Sequence, residues 1–131
     1  MTSDARHPAT PTSKGLGDAA ERQTLAYLAA RGLVPVERNY RVARGPRARG
    51  GEVDLIMRDA DGTLVFVEVR ARRDARHGGG AASVGATKQR RLIYAAQHFL
   101  RRYAALPPCR FDVVSVEGDR IEWLRAAFGA P

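Results

Sequence analysis

At 131 residues the chain has the length of one ordinary domain, long enough to bury a core without covalent staples. A single cysteine, Cys109, excludes an internal disulfide framework and a multi-cysteine zinc site; its thiol is expected buried, in a reducing cytoplasm. Twenty-two basic residues against 14 acidic ones leave a net charge of +8, a bias toward polyanions, of which nucleic acid is the commonest.

Residues 1–14 mix Pro, Ser and Thr with almost nothing to bury, and are expected to form a disordered tail before one domain spanning 15–128. The first apolar run that follows is far short of the roughly 20 residues of a membrane span, and so are all later ones. The N-terminus also lacks the apolar core of a secretory signal, so a soluble intracellular protein without membrane contact is expected.

The stretch "GDAAERQTLAYLAARG" predicts a helix with Asp18 as N-cap, Glu21 three residues on in capping-box spacing, and Gly32 as the stop. Leu25 and Leu28 share a face with Glu21. "VPVERNYRVA" reads as an irregular strand, and the loop after it carries Arg44, Arg47 and Arg49. A β-hairpin comes next, then a Gly- and Arg-rich loop with Arg72, Arg73 and Arg76. A second helix is predicted from Thr87 to Ala105, with Leu92, Ala96, Phe99 and Tyr103 on one stripe and Arg90, Tyr94, Gln97 and Arg101 on another. "CRFDVVSV" and "RIEWL" are predicted strands around a Gly118-Asp119 turn, and "RAAFGAP" a short tail. The fold class is therefore α/β: a mixed central sheet flanked by helices, in the order α-β-β-β-α-β-β. His7, His77 and His98 have no ligand-like spacing and no evident partner. Asp112 is expected at a sheet end or turn.

The hairpin is the most informative stretch. In "GGEVDLIMRDADGTLVFVEVRAR" the turn Asp59–Thr63 suits a G1-bulge loop with Gly62 in the left-handed position. That register sets Asp54 opposite Glu68 and Glu52 opposite Arg70. Alternation places Val53, Leu55 and Met57 with Val65, Val67 and Val69 on one apolar face. The other face carries Ile56, Leu64 and Phe66, with the four charges gathered at its far end. Facing residues have Cβ atoms about 4.5–5.5 Å apart. Two carboxylates at that separation repel by roughly 3 kcal/mol at an effective dielectric near 20. A divalent cation neutralises such a corner: carboxylate oxygens, waters and a backbone carbonyl such as that of Val69 suit Mg²⁺ or Mn²⁺. The competing arrangement is a pair of cross-strand salt bridges on an exposed sheet corner.

Asp54 followed by "FVEVR" resembles the metal site of the PD-(D/E)xK, or restriction-endonuclease-like, superfamily. The blocks "GDAAERQTLAYLAARGL", "ERNYR", "GGEVDLIMRD", "LVFVEVRAR", "GGGAASVGATKQRRL" and "RFDVV", spread from about Lys14 to Phe128, resemble the uncharacterised bacterial YraN family. That family is similar in fold to archaeal Holliday-junction resolvases. The resemblance implies a restriction-endonuclease-like fold in which Asp54, Glu68 and the Val69 carbonyl hold the metal and Glu21 binds it directly or through water. It implies that Lys88 and Gln89, opening the second helix, contact phosphate or water. Arg70 stands where the superfamily pattern has lysine. An arginine stays protonated and cannot be a base, but it can hold the scissile phosphate and stabilise its charge.

The function expected is that of a Mg²⁺- or Mn²⁺-dependent nuclease cutting branched or structured nucleic acid, DNA rather than RNA. The catalytic set is Glu21, Asp54, Glu68, Arg70, Lys88 and Gln89, and the Arg-rich loops grip phosphates. The alternative is a nucleic-acid-binding protein with the nuclease fold and little or no activity. A third possibility is an interaction protein that docks an acidic partner. A homodimer would suit a symmetrical junction.

Overall fold

A computed structural model describes residues 13–43, 50–72 and 84–129, for residues 13 and 14 the backbone alone. The elements are α1 (Ser13–Ala30), β1 (Val34–Val42), β2 (Gly51–Arg58), β3 (Leu64–Ala71), α2 (Ala86–Leu100), β4 (Cys109–Glu117) and β5 (Arg120–Phe128). They follow the expected order. One five-stranded sheet runs β1-β2-β3-β4-β5, with β3 and β4 parallel and the other neighbours antiparallel. The parallel pair needs a crossover, and α2 supplies it.

The sheet is buried on both faces because its central strands are apolar at successive positions. Val65 and Val67 of β3 pack with Leu28 and Ala20 of α1; Leu64 and Phe66 pack on the opposite face with Leu92, Ala96 and Phe99 of α2. No helix among the described residues is long and apolar enough to cross a membrane.

Gly62 takes φ 91° in the β2–β3 loop, and the Asp59 N–H donates to Thr63 O at 2.9 Å. The register is the expected one: Arg58↔Leu64, Met57↔Val65, Ile56↔Phe66, Leu55↔Val67. Gly32, at φ 96°, ends α1 with the Leu33 N–H on Leu28 O and its own N–H on Ala29 O, a Schellman arrangement.

Several expectations need correction. Helix α1 begins at Ser13, five residues before Asp18, so Asp18 lies inside the helix and forms no capping box with Glu21. Helix α2 ends at Leu100 rather than Ala105, because the last turn tightens: Arg101, Arg102 and Tyr103 N–H groups bond three residues back. Strand β5 runs on through "RAAF" to Phe128. There the Ala126 N–H donates to Asp112 Oδ1 at 2.9 Å and Phe128 stacks on Phe111 at 5.0 Å. Val53 leaves the Leu55–Met57 face and joins the α2-side cluster. Cys109 is exposed at the start of β4, not buried. His98 does have a partner, since its Nδ1 meets the Tyr40 hydroxyl. Residues 1–12 of the expected tail lie outside the described residues.

Candidate metal and phosphate site

The β2–β3 ladder ends at Leu55↔Val67, and the next residues on the two strands are Asp54 and Glu68. Where the next rung would form, the Val69 N–H donates instead to Asp54 Oδ2 at 2.8 Å. The Asp54 and Glu68 carboxyls are themselves in hydrogen-bonding contact. Glu68 lies between Val67 and Val69, which pack toward α1, so its side chain faces α2. Lys88, in the first turn of α2, meets it with Nζ–Oε2 at 3.2 Å. The lysine side chain is 46% exposed and the glutamate 5%, so Glu68 bears the cost of leaving water.

That cost sets the charge state of the site. Burial first, then the neighbouring Asp54, push the Glu68 carboxyl up to about 8, against the pull of Lys88. Burial also raises Asp54, opposed by the Val69 N–H, by Glu68 as a hydrogen-bond partner and by Lys88. Two acids in contact share one poorly tolerated negative charge. Glu21 of α1 is raised too, by burial and then by the charges of Asp54 and Asp18, while Arg38 and a hydrogen bond from the Asn39 side chain lower it.

Of the expected site residues, the structure brings Asp54, Glu68, Val69 and Lys88 into direct contact and sets Glu21 within reach of Asp54's charge. Glu52, expected opposite Arg70, is met by Arg91 of α2 with Nη2–Oε1 at 3.4 Å. Arg70 lies level with Ser115 of β4 and is partly buried. Gln89 is turned back on its own helix, donating from Nε2 to Val84 O at 2.9 Å. Arg72 is partly buried where β3 ends, its N–H on Val116 O at 2.8 Å. Arg44, Arg47, Arg49, Arg73 and Arg76 lie outside the described residues. Asp112 belongs to a separate structural network: fully buried, it accepts from Arg110, Trp123 and Ala126.

Sequence reasoning missed Arg91, Arg38 and Asn39. Arg91 follows Lys88 by three residues, one helical turn, which was available as a signal. Asn39 was also visible as a residue that strands avoid, placed in mid-strand.

The donor chemistry fits a hard divalent cation. Mg²⁺ characteristically takes one or two carboxylates and completes its shell with water and substrate phosphate oxygens, and Asp54 with Glu68 supplies that minimum. Among the described residues no three His, Cys, Asp or Glu side chains form a ready-made cage. Glu21 therefore stands one step outside the pair.

The model of an uncharacterised protein family, UPF0102, matches residues 20–116. A UPF0102 protein of Methylibium petroleiphilum is 62% identical over 119 residues, covering 91% of this chain and 98% of that one. A UPF0102 protein of an Acidovorax strain is 56% identical over 119 residues, covering 91% of this chain and 88% of that one. Among solved structures, a chain of an EndoMS-dsDNA2 complex aligns with TM-score 0.47 and 18% identity, covering 84% of this chain and 38% of that chain.

Proposed function

We propose that this chain, which belongs to the uncharacterised protein family UPF0102, is a cation-dependent phosphodiesterase acting on branched or structured DNA. One observation carries the reading: two buried carboxyls are held in contact at the end of a strand pair, with Glu68 up at about 8. A fold gains nothing in stability from such a pair unless a further positive group joins it.

Asp54 and Glu68, with the Val69 carbonyl, are the groups that would hold Mg²⁺ or Mn²⁺. The chemistry such a cation supplies is Lewis-acid polarisation of a phosphoryl oxygen and of an attacking water. Lys88 screens Glu68 from the α2 side, and its half-exposed ammonium is placed to meet a phosphate oxygen. Arg70, one residue beyond Val69 and always protonated, stabilises charge on the phosphate and cannot take a proton. The arginines at 44, 47, 49, 72, 73 and 76 are assigned to phosphate contacts along the substrate. The protein acts in the cytoplasm, and a homodimer suits a two-fold symmetrical junction.

The test is cleavage of a labelled four-way junction with Mg²⁺ or Mn²⁺, wild type beside Asp54→Asn. Metal-dependent cutting lost in the variant is the expected result. Arg70 favours a second reading, a DNA-binding protein of nuclease fold without turnover. Retained junction binding with no cutting in either metal would establish it.

A further inference from the structure

Among the described residues, two that are not glycine have positive φ, and one is Asn39 at 51°. L-side chains avoid this region; asparagine is a frequent exception because its short amide can hydrogen-bond locally. Here the residue lies in the middle of β1, flanked by the pairs Arg38↔Leu55 and Tyr40↔Val53. Asn39 is therefore level with Asp54, and the rung between those pairs is missing. On β2 the same point is where the side-chain alternation breaks, with Val53 on the α2 side and Leu55 on the α1 side. The left-handed residue in one strand and the broken alternation in the other are two halves of one distortion centred on Asp54. Across it the Asn39 side chain reaches α1 and hydrogen-bonds Glu21.

We infer that Asn39 is a positioning residue: its left-handed turn in β1 aims the side-chain amide at α1, holding the Glu21 carboxylate toward Asp54 as the third acidic arm of the site. The inference rests on the metal-site reading above and deepens it. Glu21 needs such a hold. It sits between the charges of Asp18 and Asp54, both of which repel it, and Arg38 offers an alternative partner. A neutral donor fixes the direction of the carboxylate while leaving its charge free for a cation, which an ion pair to arginine does not. Strain retained at a site in this way is a recognised use of unfavourable backbone conformations.

Asn39→Gly separates the two roles of the residue. Glycine accepts φ 51° without penalty and deletes only the amide. The readout is Mn²⁺ affinity by electron paramagnetic resonance on the full chain, alone and with a short DNA duplex. Four proteins are compared: wild type, Asn39→Gly, Glu21→Gln and the double variant. Asn39→Gly is expected to melt close to wild type and to bind Mn²⁺ about tenfold more weakly. The double variant is expected to bind no more weakly than Glu21→Gln, since both changes act through one carboxylate. Wild-type affinity in Asn39→Gly, or losses that add in the double variant, overturn the inference and leave the metal site standing. A wild type that ignores Mn²⁺ with and without DNA overturns the metal reading and this inference with it. If Asn39→Gly does not fold, Asn39→Asp decides: it tolerates the same φ but presents an acceptor to Glu21. Mn²⁺ binding at least tenfold weaker supports the inference, and unchanged or tighter binding overturns it.

Discussion

Glu68 holds a proton at neutral pH because burial and Asp54 together outweigh Lys88. The consequence for stability has a definite sign. A carboxyl raised from 4.5 to about 8 by folding favours the native state while protonated, so its contribution is complete below pH 4.5 and is lost as pH rises through about 8. Asp54 is shifted in the same direction and adds to the trend. The protein without metal should therefore lose melting temperature between those limits, and Glu68→Gln should flatten the profile. Melts across that range check it, and a wild-type profile as flat as that of the variant would contradict the charge state described. At the other acidic cluster the sign reverses. The Ala60 N–H and Arg110 hold the exposed Asp59 carboxylate below its usual range, so it takes no part in this window.

Gly51, at the start of β2, is where strand and second helix come closest. A Cβ there would lie 2.3 Å from Arg91 O and 2.9 Å from Ala95 N, both backbone atoms that cannot swing aside. Gly51→Ala should push α2 off β2, cost about 1–3 kcal/mol in urea unfolding, and loosen the Lys88–Glu68 and Arg91–Glu52 pairs together. Unfolding indistinguishable from wild type would show that the helix yields more easily than the geometry states. How much of this was legible in advance depends on how local each cause is. The hairpin register was readable because Gly62 and the Asp59 turn determine it within a few residues. The acidic pair Asp54 and Glu68 followed from that register alone. The phase break at Val53 was not readable, since it arises where β1, through Asn39, and α2, through Gly51, press on β2 from elsewhere in the chain. The full length of β5 was hidden for the same reason: Asp112 and Phe111 of the neighbouring strand hold Ala126 and Phe128. The early start of α1 had a different cause. Asp18 and Glu21 imitate a capping box in a helix that was already under way, past two glycines that weaken it.

Across the whole molecule the excess of +8 contrasts with the acids gathered at one end of the sheet. A phosphodiester backbone drawn in by the positive surface meets strong local repulsion there, which a cation would reverse. Binding to DNA should therefore weaken steeply with salt. Replacing Arg72, Arg73 and Arg76 together by alanine should shallow the slope of log K against log salt by roughly 2.7, about 0.9 for each phosphate no longer neutralised. Fluorescence anisotropy with a junction at several salt concentrations measures it. An unchanged slope would move the phosphate grip to other arginines.

The parallel pairing of β3 with β4 has a kinetic consequence. Asp54 and Glu68 belong to one hairpin, an element that closes on the microsecond scale. Lys88 reaches Glu68 only when α2 has docked, and β4 joins β3 only after the whole crossover is in place. The acids thus come together before the group that screens them, and the folding chain carries the protonated pair through its rate-limiting step. Lys88→Ala should then leave the refolding rate unchanged at neutral pH and accelerate unfolding, the pattern of an interaction absent from the transition state. Stopped-flow folding and unfolding limbs read this directly, and slowed refolding in the variant would place α2 docking ahead of the barrier.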